Sequence, residues 1–127
     1  MNAVGNEEEG NLMQDEIAID PYTAFGIVDL RVGRILRAEP NSKARKPAYK
    51  LWLDFGELGQ RTSSAQITEL YTPEELVGRL VIGAVNLGSR LIAGFKSDVL
   101  VMGVNNADGH VILLSVERDA EPGSKVY

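Results

Sequence analysis

The chain has 127 residues, of which 44% are hydrophobic, so it is long enough for one domain with a buried core. It contains no cysteine and one histidine, His110, which excludes disulfides, thiol nucleophiles and zinc–thiolate sites and argues against a histidine metal cluster. The N-terminus lacks a basic region followed by an apolar run, and no stretch approaches the roughly 20 apolar residues of a membrane helix. We therefore expect a cytoplasmic protein without membrane insertion.

The net charge of −5 hides an uneven distribution along the chain. Residues 1–20 contain six acidic residues and no basic one, whereas residues 31–50 contain seven basic residues against Glu39 alone. We expect an acidic, flexible tail or dimer arm over residues 1–20, joined to a domain over residues 21–127. Because charges act locally within about 10 Å, the acidic average does not exclude an anionic partner.

The first predicted strand covers residues 25–38. Alternation places four apolar side chains of one parity on its core face: Val28, Leu30, Val32 and Leu36. Gly33 in the middle of this strand predicts a bulge or a sharp bend.

A polar loop is expected over residues 39–47, and the cleanest alternation in the chain follows it. The inward positions of this second strand are Tyr49, Leu51, Leu53 and Phe55, and the outward positions are Lys50, Trp52 and Asp54. After the turn "GELG", the polar stretch "QRTSSAQI" predicts a third strand over residues 60–67.

The segment "TPEELVG" carries the start and stop signals of a short helix. Thr72 and Glu75 have the spacing of a capping box, Pro73 suits the first helical position, and Gly78 suits the C-terminal cap. The doubly apolar residues 80–87 then predict a strand that is covered on both faces. Asp108-Gly109 predicts the turn of a later hairpin, and "EPGSKVY" predicts a closing turn and short strand.

Several strands with one short helix between the third and fourth indicate an all-β fold. This order favours a Greek-key barrel of the oligonucleotide/oligosaccharide-binding (OB) type, in which a helix occupies that position. A β-sandwich fits less well, because it has no natural place for the central helix.

Four stretches carry a resemblance to a known family: "VDLRVGRILRAE", "KPAYKLWLDFG", "SSAQITELYTPEELVGRLVIGAVN" and "RLIAGFKSDVLVMG". The first resembles the opening strand of tRNA-binding OB domains, and together they resemble the CsaA subgroup of homodimeric, export-related chaperones. The resemblance covers about residues 22–127. One departure is that Gly88-Ser89 precedes Arg90, where the subgroup usually has a proline, so we expect a looser turn there. The resemblance does not explain the acidic segment.

The first candidate site is a groove for a peptide or a nucleic-acid backbone, on the third strand and the later "NLGSRLIAGFKSD" loop. Small hydroxyls allow close approach of a backbone, glutamine supplies a donor and an acceptor, and the resemblance brings the loop beside the third strand. The same third-strand hydroxyls would also suit an ordinary solvent-facing strand. The predicted groove residues are Ser63, Ser64, Gln66, Asn86, Arg90, Phe95, Lys96 and Ser97.

The second candidate is a basic patch that contacts phosphates, although a run of charge is usually just a solvated face. Its predicted members are Arg31, Arg37, Lys43, Arg45, Lys46 and Lys50. Trp52, on the outward face nearby, would stack on a base or, as we favour, enter a dimer interface.

No residue pattern supports catalysis, a metal site or a cofactor. "GELGQRTS" lacks the Gly-Lys-Ser/Thr end of a phosphate-binding loop, and no nucleophile–base spacing is evident. We expect a homodimeric, CsaA-like chaperone that binds unfolded or pre-export polypeptide. The alternative is a tRNA-binding protein that uses the same face. Because the tail is acidic and the patch is basic, a further hypothesis is that the tail competes with nucleic acid for the basic patch.

Overall fold

The computed structural model describes residues 18–127, so most of the predicted acidic tail lies outside the described residues. The described chain begins with a short exposed helix, α1 (Pro21–Ile27). Asp20 caps α1 by accepting a hydrogen bond of 2.9 Å from the backbone N–H of Thr23, which also lowers the pKa of its carboxyl. The prediction of a strand from Phe25 was wrong here, because the Asp20 cap and Pro21 at the first turn start a helix.

Nine strands and a second helix follow α1 in the described chain. The strands are β1 (Leu30–Pro40), β2 (Tyr49–Asp54), β3 (Gln60–Ala65), β4 (Leu80–Ala84), β5 (Arg90–Ile92), β6 (Phe95–Ser97), β7 (Leu100–Val101), β8 (Gly103–Asn105) and β9 (Val111–Leu113). A 3-10 turn, Gly56–Leu58, joins β2 to β3, and helix α2 (Pro73–Leu76) lies between β3 and β4.

The main sheet has five strands in the order β3-β2-β1-β4-β7, all antiparallel, while β5-β6 and β8-β9 form two separate hairpins. This sheet curls into a nearly closed barrel with α2 between the third and fourth strands, which confirms the predicted OB-type, all-β fold. Neither helix within residues 18–127 has the length and apolar character that a membrane-spanning helix needs.

Hydrogen bonds close the barrel where β3 meets the chain before β7. We call this contact, between residues 62–64 and residues 96–99, the seam. The Thr62 hydroxyl donates to the carbonyl of Lys96 at 2.7 Å, and the amide of Asp98 donates to the carbonyl of Thr62 at 3.0 Å. The buried Ser63 hydroxyl donates to the carbonyl of Val99 at 2.8 Å. The polar side chains of β3 therefore help to close the barrel and do not only cover its outer surface.

Strand β1 departs from simple alternation. Its pairing with β2 shifts register between Ile35 and Arg37, so Ile35 is fully buried and Leu36 is 40% exposed. The prediction of Leu36 as a core residue was wrong, because Leu36 is the extra residue at the shift and its neighbour Ile35 takes the core position. Val32 is buried as predicted.

Gly33 has a packing role that differs from the predicted bulge. A Cβ atom on Gly33 would lie 2.6 Å from the fully buried ring of Phe55, and one on Gly83 would lie 2.6 Å from Val99. The two glycines therefore allow the Phe55 ring to fill the centre of the barrel against β1 and β4. All four inward residues predicted for the second strand are buried, which confirms its alternation.

The cap and turn signals of the second half of the chain are confirmed, whereas the strand predicted over residues 80–87 ends at Ala84 and leaves Leu87 exposed. Thr72 and Glu75 form both hydrogen bonds of a capping box on α2, and Gly78 adopts a positive φ of 92° just after the helix. The β8-β9 hairpin turns at Asp108-Gly109, with Gly109 at a φ of 83°. The first arm of this hairpin is only Gly103–Asn105, because β7 pairs with β4 before the chain enters the hairpin.

The close packing at Gly33 generates a stability prediction. Gly33→Ala lowers the free energy of unfolding by about 1–3 kcal/mol, because the new methyl group overlaps the Phe55 ring. Gly26→Ala is the matched control, since nothing lies within 4 Å of its added Cβ. It leaves stability unchanged or raises it by up to about 1 kcal/mol. Denaturant titration of both variants measures the difference, and equal effects would contradict this account of Gly33.

The seam generates a second stability prediction from two adjacent serines. Ser63→Ala lowers the free energy of unfolding by about 1–3 kcal/mol, because it leaves the Val99 carbonyl without the Ser63 hydroxyl. Ser64→Ala changes stability by no more than about 0.5 kcal/mol, because only the Ser64 backbone takes part in the seam. Thermal unfolding of the pair is the measurement, and a Ser64 effect as large as that of Ser63 would speak against the seam as described.

Candidate functional site

An open groove of about 1050 Å³ runs between two loops at one end of the barrel. One wall is the loop between β1 and β2, and the other is the segment from the end of β4 through the β5-β6 hairpin. We call this cavity the groove. Its lining comprises Lys43, Ala44, Arg45, Lys46, Ala48, Ser64, Gln66, Leu87, Gly88, Ser89, Arg90, Leu91, Ile92, Ala93, Ser97 and Leu100.

Hydrogen bonds fix the two walls relative to the barrel. The Ser64 amide donates to the Ser97 hydroxyl at 2.9 Å, which ties the base of the β5-β6 hairpin to β3. The buried Asn41 side chain donates to the carbonyl of Ile92 at 3.4 Å, which links the two walls directly. The hairpin turns sharply through Ala93 and Gly94, at positive φ values of 51° and 83°. The groove is therefore shaped before any ligand arrives.

Three leucines of the groove lining are exposed, and we call them the groove leucines. Leu91 is 73% exposed, Leu87 is 56% exposed and Leu100 is 55% exposed. Leucines this exposed around one concave surface are typical of an interaction site, because each still has apolar area to bury against a ligand.

Four cationic side chains also line the groove, with no carboxylate among the lining residues. These groove cations are Lys43, Arg45, Lys46 and Arg90. None of them forms a salt bridge with another residue of the 18–127 range. The groove thus offers positive charge and apolar surface side by side.

Seven of the predicted site residues meet in this groove. From the predicted peptide or nucleic-acid set, the structure brings together Ser64, Gln66, Arg90 and Ser97, and from the predicted basic patch it adds Lys43, Arg45 and Lys46. Half of each predicted set therefore lies on one common surface.

Two predicted groove residues, Ser63 and Asn86, lie outside the groove lining and hold parts of the fold together. Ser63 is 1% exposed beneath the surface, with its hydroxyl used in the seam. Asn86 turns away towards α1, where its side chain donates to the carbonyl of Ile27 and accepts from the amide of Asp29, both at 2.8 Å. Neither side chain is offered to a groove ligand.

Phe95 and Trp52 pack on each other outside the groove lining. Their rings meet edge to face, with centroids 5.2 Å apart, and the Arg37 guanidinium lies 4.2 Å from the Trp52 ring centroid. Lys50 lies 5.5 Å from the Phe95 centroid, and Arg37 also pairs with Glu39. Trp52 thus supports the β5-β6 hairpin within its own chain, which accounts for its outward position without the dimer interface that we favoured.

Arg31 and Lys96 are engaged elsewhere. Arg31 donates to Asp29 at 2.6 Å and to the carbonyl of Gly123 at 2.9 Å, so it ties β1 to the C-terminal segment and does not belong to the basic patch. Its hydrogen bond lowers the pKa of the Asp29 carboxyl, and Asp29 in turn raises the pKa of Arg31. Lys96 forms a salt bridge of 3.7 Å with Asp98.

Sequence reasoning missed the groove leucines and Asn41. Leu87 and Leu91 flank the "GSR" turn, and apolar residues beside a predicted turn are a signal of exposed apolar surface. Asn41 gave no such signal, because its partner Ile92 is distant in sequence. Within residues 18–127, no three His, Asp or Glu side chains are grouped so that they would hold a metal ion.

Comparison with known proteins assigns this architecture. The methionine–tRNA ligase of Thiobacillus denitrificans is 42% identical over 118 residues, which cover 88% of this chain but only 16% of the ligase. The solved structure of chaperone CsaA from Bacillus anthracis matches with a TM-score of 0.78 and 40% identity, over 87% of this chain and 100% of that one. The CsaA chaperone protein from Picrophilus torridus matches with a TM-score of 0.80 and 42% identity, over 86% and 100% of the two chains.

The model of the putative tRNA binding domain matches residues 30–125, the whole barrel from β1 to the C-terminal segment. This match covers both walls of the groove and the seam between them. The chain therefore belongs to the putative tRNA binding domain family, and within it to the CsaA-like proteins.

Proposed function

We propose that the protein is a chaperone that holds extended or unfolded polypeptide in the groove and catalyses no reaction. The observation that carries the proposal is the exposure of the groove leucines around one open, preformed cavity. Unfolded chains present apolar side chains that such a surface can bury, and each buried leucine contributes about 1.5–3 kcal/mol when fully covered. Nucleic acid offers much less apolar surface for these leucines to cover.

The polar groups of the groove suit the backbone of an extended client. Ser64 and Ser97 are small, so a main chain can approach β3 closely, and Gln66 provides both a donor and an acceptor. An apolar lining with a few polar groups is the usual composition of a peptide site. The CsaA chaperones that match over their whole length support the same function.

A homodimer would extend the site. Helix α1 exposes Tyr22, Phe25 and Ile27, which is an apolar surface suited to a second copy. Two grooves in one particle would bind a long client with avidity. We place the protein in the cytoplasm and link it to export, because pre-export polypeptides are held unfolded there.

The second candidate function is tRNA binding, which the groove cations and the family favour. Four cations without carboxylates nearby suit phosphates, and the position between two loops at one end of the barrel is where OB folds hold oligonucleotides. Both ligands would use the same groove, so they would compete.

The groove leucines generate a binding prediction. Leu91→Ser weakens the affinity for a labelled, unfolded peptide without charged residues by about five- to tenfold, because it removes apolar surface from the contact. Val104→Ser is the matched control, since Val104 is 53% exposed on β8 and does not line the groove. Fluorescence anisotropy measures both affinities. Equal affinities for the two variants would refute peptide binding in this groove.

The groove cations generate a prediction for tRNA. Lys43→Gln, Arg45→Gln and Lys46→Gln each lower the slope of log affinity against log salt concentration by about 0.7–0.9, because each variant leaves one phosphate without a cationic partner. Arg118→Gln removes an exposed cation outside the groove and leaves the slope unchanged. Filter binding of tRNA at several salt concentrations is the measurement, and a slope that stays the same in the loop variants would exclude tRNA from this groove.

A further inference from the structure

The groove combines positive charge with apolar surface, and one segment of the same chain is complementary to it in both respects. Its lining combines exposed leucines with cations that have no carboxylate partner among residues 18–127. A ligand that satisfies both features would carry several carboxylates and several apolar side chains within a short extended stretch. An uncharged client would satisfy the leucines alone, and a phosphate backbone would satisfy the cations alone.

Residues 7–17, "EEEGNLMQDEI", have this composition. Three consecutive glutamates are followed by Leu12 and Met13, and then by Asp15, Glu16 and Ile17. The segment therefore has five carboxylates at its two ends with apolar residues between and after them, against four groove cations and three groove leucines. It contains no basic residue that the groove cations would repel.

The segment is connected, through α1, to a point of the barrel beside the groove. Asn86 ties the end of α1 to the barrel through two hydrogen bonds, and the next residue, Leu87, already lines the groove. Helix α1 has seven residues, which corresponds to about 10 Å. Eleven extended residues span about 35 Å, whereas a domain of this size has a radius of gyration of about 13 Å. Chain length therefore permits residues 7–17 to reach every part of the groove.

We propose that residues 7–17 dock in the groove of their own chain and compete there with external ligands. The linkage within one chain gives the segment an effective concentration in the millimolar range, so even weak contacts would occupy the groove. Because the contact includes opposite charges, added salt weakens it. This docking uses the groove of the proposed function, but it does not depend on which external ligand binds there.

A spin label tests the docking directly in the full-length chain. The chain has no cysteine, so Asn6→Cys provides one labelling position beside the acidic segment. We expect the label to broaden the amide NMR signals of residues 43–46 and 87–93, with loss of most of their intensity. The broadening disappears when Glu7, Glu8, Glu9 and Glu16 are changed to Gln and Asp15 to Asn. Intact groove signals in the labelled wild-type background would overturn the proposal.

Two controls establish which residues cause the broadening and whether it arises within one chain. Replacing the groove cations with Gln abolishes the broadening, whereas Arg118→Gln retains it, because Arg118 lies outside the groove. In a second sample, spin-labelled protein without isotope is mixed with isotope-labelled protein without a spin label. Broadening in that mixture would assign the groove to the segment of a second copy and overturn docking within one chain.

The spin-label measurement and the peptide-binding measurement can fail independently. Peptide binding at the groove with no broadening by the spin label refutes the docking of residues 7–17 and leaves the chaperone function standing. Broadening without any peptide binding refutes the chaperone function and leaves the docking standing. When both hold, neutralising residues 7–9, 15 and 16 raises the affinity for an external acidic peptide.

Discussion

The structure depends on the closure of the barrel by the seam between residues 62–64 and residues 96–99. Regular strand pairing does not join β3 to β7, so the side-chain hydroxyls of Thr62 and Ser63 and three backbone amides make the junction. Loss of the buried Ser63 hydroxyl would be destabilising, because a buried carbonyl without a hydrogen-bond partner costs more free energy than a typical hydrogen bond contributes. An open edge at β3 would also be free to pair with other chains.

Barrel closure also builds the groove. The segment that seals the barrel continues directly from the β5-β6 hairpin, which is one wall of the groove, and Trp52 with Phe95 supports that hairpin from outside. Ser64 stands beside Ser63 but faces outwards, so one serine stabilises the barrel and its neighbour lines the site. Folding and binding are therefore linked through the same short strand, and loss of the seam would displace a wall of the groove.

The groove combines two kinds of surface that different ligands would use. The groove leucines favour polypeptide and the groove cations favour anions, so the two proposed ligands would share one cavity. The contribution of each is separable by experiment, because salt screens the cations and leaves apolar burial nearly unaffected. Residues 7–17 carry both chemistries, so their proposed docking would compete with either ligand.

The sequence by itself determined the features that depend on near neighbours along the chain. These features are the alternation of β2, the capping box of Thr72 and Glu75 and the turn at Asp108-Gly109. The sequence motifs also indicated the family and, with it, the barrel fold. Only the tertiary structure decided that Leu36 is exposed at a register shift, that Ser63 is buried while its neighbour Ser64 lines the groove, and that Asn86 and Arg31 hold distant segments outside the groove lining. Each of these outcomes is set by a partner far away in sequence, and a periodic pattern contains no information about such partners until the barrel closes.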